Sequence, residues 1–147
     1  MSDTKQTNPK DAIAGSKVPL WLLSPIAKAH WSLAQFVGMV KYGAWNWRTT
    51  GVRASVYLSA IERHRDAFLS GEDYCPIDGM HHLGAIMAGC ALIMEAQAAG
   101  KLVDDRPPRV ALSSTHAYVM SQMDKVRALY ADKSPKHYTI EDSEDAK

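Results

Sequence analysis

The chain has 147 residues, of which 46% are hydrophobic and 22% are charged, so it can form one domain with a real core. The net charge of +1 gives no general reason to expect nucleic-acid binding. Residues 1–53 are nevertheless basic, because they carry seven Lys and Arg residues against two Asp. Such an imbalance suits an anionic ligand, and it equally suits a solvated surface.

Cysteine content and hydropathy exclude two further classes of protein. Cys75 and Cys90 are too few for a disulfide framework, so a reduced, cytoplasmic setting is expected. The first residues are polar, which excludes a signal peptide, and the chain has no run of 18 apolar residues. The sequence therefore predicts neither secretion nor a membrane span.

The chain begins with a polar stretch that leads into the first helix. Residues 1–17 are predicted to be a flexible tail, residues 18–132 the folded domain, and residues 133–147 an acidic flexible tail. The apolar residues 18–23 are expected to be extended and packed onto the domain. Ser24 and Pro25 then predict a helix start, as N-cap and first helical residue. This helix should run to about Tyr42, where Gly43 ends it.

A second helix is predicted from about Val52 to Leu69, with Thr50 as a possible N-cap. At 100° per residue His64 falls at the centre of the apolar stripe, together with Tyr57, Ala60, Ile61 and Phe68. Glu62 and Asp66 fall on the opposite face, and Arg63 lies on a flank. His64 is therefore expected to project inward.

The turn over residues 70–79 leads into a third helix, predicted from Gly79 to Ala99 with Asp78 as its N-cap. This helix is apolar on nearly all sides, which predicts a position at the centre of a bundle. His82 should point inward, and Gly84 and Gly89 should allow neighbouring helices to approach closely.

A fourth helix is predicted over about 115–131, capped by Ser113 or Ser114. Its apolar residues recur at helical spacing. The predicted fold is therefore all-α, a four-helix-type bundle with a central antiparallel helix hairpin and flexible termini.

Two parts of the hairpin region carry candidate chemistry. His64 and His82 should meet near Glu72 and Asp73, a set that could bind a divalent ion or arrange acid and base groups around water. Residues 41–51 combine two Trp, a Tyr, a Lys and an Arg, which suits nucleotide stacking and phosphate binding, or a loop that only caps the core. The spacing fits neither a common zinc pattern nor a phosphate-binding Gly-rich loop.

Residues 25–108 resemble a known family in a series of short motifs in the same order. The matching residues are Lys41, Tyr42, Gly43, Asn46 and Trp47; Arg63 and His64; Gly71, Glu72 and Asp73; Pro76, Gly79, His82 and Leu83; and the run from Gly100 to Pro107. The series resembles the phage dATP/dGTP diphosphohydrolases, MazG-like or MazZ-like members of the all-α nucleoside triphosphate pyrophosphohydrolases.

The resemblance implies a reaction and a set of roles. A purine deoxynucleoside triphosphate would be cleaved to the monophosphate and pyrophosphate with Mg²⁺ or Mn²⁺, shaping phage nucleotide pools. His64, Glu72, Asp73 and His82 would be catalytic and hold the metal. The substrate would be bound by Lys41, Arg48 and Arg63 at the phosphates and by Tyr42, Asn46 and Trp47 at the base or sugar.

The sequence departs from the wider superfamily, which carries E-x-x-E on one helix and E-x-x-D on the next. Neither motif is present on a predicted helix here, and Ala85 and Cys75 stand where the closer family has His and Asp. Two other functions therefore stay open. One is a non-catalytic phage protein that sequesters a signalling nucleotide, and the other is an oligomeric helical interaction protein. A homo-oligomer without membrane or nucleic-acid partners is expected.

Overall fold

A computed structural model describes residues 9–10, 13 and 15–143. Residues 15–143 contain four α-helices, which confirms the predicted, mainly α-helical fold class. The helices are α1 (Pro25–Tyr42), α2 (Ala54–Leu69), α3 (His82–Ala98) and α4 (Leu112–Leu129), and two short strands, β1 (Val52–Arg53) and β2 (Leu102–Val103), accompany them. None of the described helices combines the length and the apolar character that crossing a bilayer requires.

The chain divides into two compact units, Met1–Asp104 and Asp105–Lys147. The first unit contains α1, α2, α3 and both strands, and the second contains α4 and a 3₁₀ turn at Ile140–Asp142. The tails predicted over 1–17 and 133–147 fall partly on residues outside the described ranges.

The boundaries of α1 are those predicted. The Ser24 hydroxyl accepts a hydrogen bond from the Ala27 amide at 3.2 Å, and Pro25 opens the helix. Gly43 ends it with φ +89°, a conformation that favours glycine. The segment before it was predicted wrongly: Leu20–Leu22 form a 3₁₀ turn, and Trp21 is 83% exposed rather than packed.

Helix α3 lies at the centre of the first unit and packs against both α1 and α2. His64 meets His82 and Ile61 faces Gly89, so α2 and α3 run in opposite directions, as predicted. A Cβ at Gly84 would lie 2.7 Å from the carbonyl oxygen of His30. Helix α1 can therefore approach α3 this closely only where α3 carries a glycine. The close-packing role predicted for Gly84 and Gly89 is confirmed.

The two short strands were not predicted. They pair in parallel, with Val52 opposite Leu102, and Val52 is the largest fully buried side chain of the described chain. Helix α2 therefore starts only at Ala54, after Arg53, and the predicted cap at Thr50 is wrong. The Thr50 hydroxyl instead donates to the Asn46 carbonyl at 2.9 Å.

Two other helix starts also differ from the prediction. His81 caps α3, because its Nδ1 accepts a hydrogen bond from the Leu83 amide at 3.1 Å. Asp78 accepts from the Met80 amide within the turn, so the cap predicted at Asp78 is wrong. Helix α4 starts at Leu112, which places Ser113 and Ser114 inside its first turn.

Candidate functional site

Three predicted site residues form a continuous hydrogen-bonded chain at the end of the α2–α3 hairpin. His64 Nδ1 lies 2.8 Å from His82 Nδ1, and His82 Nε2 lies 2.7 Å from Glu72 Oε1. His82 is buried, with 4% of its surface exposed, while the Glu72 side chain is about half exposed. The inward direction predicted for both histidines is confirmed, and the exposed positions of Glu62 and Asp66 are confirmed as well.

Backbone hydrogen bonds in the turn bring Glu72 to His82. The Glu72 amide donates to the Ala67 carbonyl at 3.1 Å, and the His82 amide donates to the Asp73 carbonyl at 2.9 Å. Gly71 supports this path with φ +95°, which a residue with a Cβ rarely adopts. The turn therefore fixes the carboxylate against the first residue of α3.

The carboxylate determines how protons are arranged along this chain. Glu72 accepts from His82 Nε2–H, so in neutral His82 the Nδ1 atom is the acceptor and His64 Nδ1–H must donate to it. This leaves Nε2 of His64 with a lone pair. Burial lowers the pKa of His64 below its usual value, and the neighbouring His82 lowers it further. Arg63 also lowers this pKa, whereas Asp78 raises it. His64 is thus suited to accept a proton near neutral pH.

His64 lines a cavity of about 250 Å³ together with Lys41 and Tyr42. Two predicted substrate-binding residues therefore share one cavity with the predicted base. We call it the histidine cavity. Tyr57 also lines it, and burial followed by the proximity of Tyr42 raises the pKa of the Tyr57 phenol.

Three of the four predicted metal ligands, His64, His82 and Glu72, are hydrogen-bonded to one another. Both ring nitrogens of His82 are engaged by protein groups, and the backbone carbonyl of Asp73 accepts from the His82 amide. Within the described ranges no three His, Cys, Asp or Glu side chains are grouped to hold a metal ion. The arrangement fits a proton relay better than a resident metal site.

A second cavity of about 600 Å³ is lined by Trp31, Phe36, Trp45, Trp47 and Glu95. We call it the aromatic hollow. Leu92 lines both cavities, so the two are neighbours in the first unit. Trp47, predicted to bind the base or sugar, thus lies in a different cavity from Lys41 and Tyr42.

Arg48 contacts two residues that line the aromatic hollow and none of the described residues that line the histidine cavity. Its Nε and Nη2 atoms each lie 2.8 Å from Glu95 Oε2, and its guanidinium lies 4.4 Å from the centre of the Trp45 ring. By contrast, the exposed Arg63 makes no ion pair with any described residue. Asn46 stabilises the turn over residues 46–50, because its backbone carbonyl accepts hydrogen bonds from the hydroxyls of Thr49 and Thr50.

The sequence-based prediction included Trp45 only as part of the 41–51 loop, and it did not assign Glu95 or Trp31 to a binding site. Glu95 is the only acidic residue of α3, a signal that marks it in an otherwise apolar helix. The indole N–H groups of Trp31 and Trp47 are buried and have no acceptor within the described part of the chain. Such groups are normally satisfied in native proteins.

The fold and the two cavities define a helical protein with a histidine relay beside a small basic cavity and a neighbouring aromatic hollow. A family model described as dATP/dGTP diphosphohydrolase, N-terminal, matches residues 7–106. The chain therefore belongs to this family, as the sequence resemblance indicated. No curated protein and no solved structure matches the chain.

Proposed function

We propose that the chain hydrolyses a purine deoxynucleoside triphosphate, dATP or dGTP, to the monophosphate and pyrophosphate. The observation that carries this proposal is the Glu72–His82–His64 chain, whose last imidazole lines a cavity with Lys41. Family membership supplies the substrate class. We expect such an enzyme to act in the host cytoplasm on phage nucleotide pools.

In the proposed reaction His64 is the general base. Its Nε2 takes a proton from water, the resulting hydroxide attacks the α phosphorus, and the bond to the β-phosphate oxygen breaks to release pyrophosphate. The hydrogen bond to His82, itself held by Glu72, fixes the tautomer and the orientation of the His64 ring. Positioned bases of this kind contribute about 10²–10⁴-fold to a rate.

Lys41 and Arg63 are the proposed phosphate ligands. Lys41 lines the histidine cavity, and Arg63 precedes His64 on α2 and acts on it electrostatically. Neither makes an ion pair with a described residue, so both are available to an anion. The Asp73 side chain would face solvent on the outer side of the turn between α2 and α3. Tyr42 would contact the sugar.

The divalent ion enters this proposal as part of the substrate. Nucleoside triphosphates are handled with Mg²⁺ bound to their phosphates, and Mn²⁺ also prefers oxygen ligands. We therefore expect activity to require Mg²⁺ or Mn²⁺ and to stop when a chelator is added. The residues of the chain bind the phosphates and hold or move the proton.

Pyrophosphate release from a panel of the four dNTPs with Mg²⁺ or Mn²⁺ tests the proposal. Release from dATP or dGTP is expected, with His64→Ala and Glu72→Ala both impaired. Activity equal to the unmodified chain in both variants would overturn the assignment of the site. Tight binding with the nucleotide recovered intact would instead identify a nucleotide-sequestering protein.

We also propose that the protein is a homo-oligomer. Ile26 and Val40 of α1 are both more than half exposed, as are several apolar residues of α4. Apolar surface of this extent on a folded chain is typical of subunit interfaces. Sedimentation equilibrium should give a mass above that of one chain, and a monomer at all concentrations would contradict the proposal.

A further inference from the structure

The aromatic hollow offers a planar ligand both stacking faces and a polar edge. Trp31, Trp45 and Trp47 line the hollow, with one face of Trp45 covered by the Arg48 guanidinium, and bases stack on free aromatic faces with about 1–3 kcal/mol each. The volume of about 600 Å³ lies within the range of small-molecule sites. The hollow shares Leu92 with the histidine cavity, so the two cavities adjoin.

Glu95 supplies the polar edge. Arg48 directs two N–H groups to Oε2, which holds the carboxylate in place over a ring-lined surface. Oε1 receives no hydrogen bond from the described part of the chain and remains an acceptor. A group that only accepts, fixed in position at the wall of an aromatic hollow, selects a ligand edge made of N–H donors.

The geometry points to the aromatic hollow as a base-binding site in which Glu95 selects guanine over adenine. Guanine presents N1–H and the N2 amino group side by side, and both donate to a carboxylate. Adenine presents one amino group beside the N1 lone pair, which a carboxylate repels. This assignment deepens the proposed function, from which it takes the purine nucleotide as ligand class.

The buried indole N–H groups of Trp31 and Trp47 also favour a purine as the ligand of the hollow. Each costs about 1–3 kcal/mol while it lacks an acceptor. Because these nitrogen atoms are buried, either ring has to turn towards the hollow before it can donate to a ring nitrogen of a purine or to the carbonyl oxygen of guanine. An apolar ligand or an exposed apolar interface would leave these donors unsatisfied.

The test uses nucleotides that cannot release pyrophosphate, so that it is independent of hydrolysis. The full chain is titrated with dGMP and with dAMP while the four indole N–H signals are followed by NMR, assigned by single Trp→Phe variants. The signals of Trp31, Trp45 and Trp47 should shift with dGMP, and the signal of Trp21, which lies outside the hollow, should not. We expect dGMP to bind about tenfold more tightly than dAMP.

Glu95→Gln should remove this preference without weakening dAMP, because a glutamine amide complements adenine. Glu62→Gln is the matched control, since Glu62 is an exposed residue of α2 that pairs with Arg65. It should keep the dGMP preference. Both variants change only exposed ion pairs, so both should unfold at nearly the same temperature as the unmodified chain.

Several outcomes would overturn the assignment. These are indole signals that neither nucleotide moves, equal or reversed affinity for dGMP and dAMP, and a preference that survives Glu95→Gln or is lost in Glu62→Gln. If the preference is found while no dNTP is hydrolysed, the base site stands and the proposed hydrolysis fails. If dNTPs are hydrolysed without base preference, the proposed hydrolysis stands and the role of Glu95 fails.

Discussion

The two neighbouring cavities of the first unit are built from different kinds of residue. The histidine cavity is small and contains the end of a hydrogen-bonded chain of titratable groups. The aromatic hollow is larger, has three tryptophans, and contains one ion pair at its wall. From this difference we propose a division of labour in which one cavity carries out the proposed hydrolysis and the other binds the base. Variants that affect only one cavity can test this division.

The largest expected effect is that of His64→Gln, which keeps a polar side chain but removes the base. We expect kcat to fall by about 10²–10⁴-fold, while dGMP binding in the aromatic hollow stays within about twofold. Pyrophosphate release and the indole NMR titration measure the two effects separately. If the variant lost nucleotide binding to the same extent as activity, the division between the cavities would be wrong.

Glu72→Gln should have the next largest effect, because Glu72 acts through His82 rather than on the substrate. An amide can still accept from His82 but lacks the charge that stabilises a protonated histidine pair. We expect a loss of about 10–100-fold in kcat with little change in KM, the magnitude usual for such supporting groups. Asp73→Asn, in the same turn, is the control and should lose less. A larger loss for Asp73→Asn would show that the carboxylate on which the reaction depends is that of Asp73 and not that of Glu72.

The histidine cavity could be anticipated from the sequence because helical periodicity reports which way a side chain points. His64 and His82 fell on apolar faces, and the hairpin turn was short enough to bring Glu72 to them. The chain Glu72–His82–His64 is nevertheless more specific than the predicted cluster. Its order depends on the backbone hydrogen bonds of residues 70–82, which no periodic pattern encodes.

The aromatic hollow could be predicted only in part. The loop over residues 41–51 was identified from its composition, but the partner of Arg48 lies 47 residues further along the chain at Glu95. The short strand pair that ties Val52 to Leu102 carries too few residues to show an alternating pattern. Contacts between residues distant in sequence therefore account for most of what the sequence did not reveal.

Gly84→Ala should destabilise the first unit and impair the histidine cavity more than the hollow. The new methyl group would lie 2.7 Å from the His30 carbonyl oxygen, so α1 and α3 must separate near His82. Overpacking of this kind costs about 1–3 kcal/mol, measured as the free energy of unfolding in urea. Gly38→Ala in α1 is the matched control, because nothing lies within 4 Å of its added Cβ. It should stabilise the chain by about 0.5–1 kcal/mol, and equal destabilisation by both would contradict the packing role of Gly84.

The smallest expected effect is a difference in pH dependence between the two cavities. The base must be unprotonated to act. Burial, His82 and Arg63 lower the pKa of His64, and Asp78 raises it by less than these do together. Hydrolysis should therefore be constant above about pH 6.5 and fall only below it, towards the lowered pKa. Because the pKa of His64 is lower in the folded chain, the unfolded chain takes up this proton at a higher pH than the folded chain does. The contribution of His64 to stability is thus complete above about pH 6.5 and is lost as the pH falls through the folded-state pKa.

Among the residues that the structure describes, those that line the aromatic hollow include no histidine, the side chain whose charge usually changes between pH 5 and 8. Binding of dGMP should therefore stay constant over the range in which hydrolysis declines. Measuring kcat/KM and the dGMP affinity at the same series of pH values compares the two cavities in one protein. A hydrolysis limb above pH 7 that persists in His64→Gln would exclude His64 as the base. A parallel decline of dGMP binding would show that the histidine relay also holds the base, and that selection and reaction are not separated.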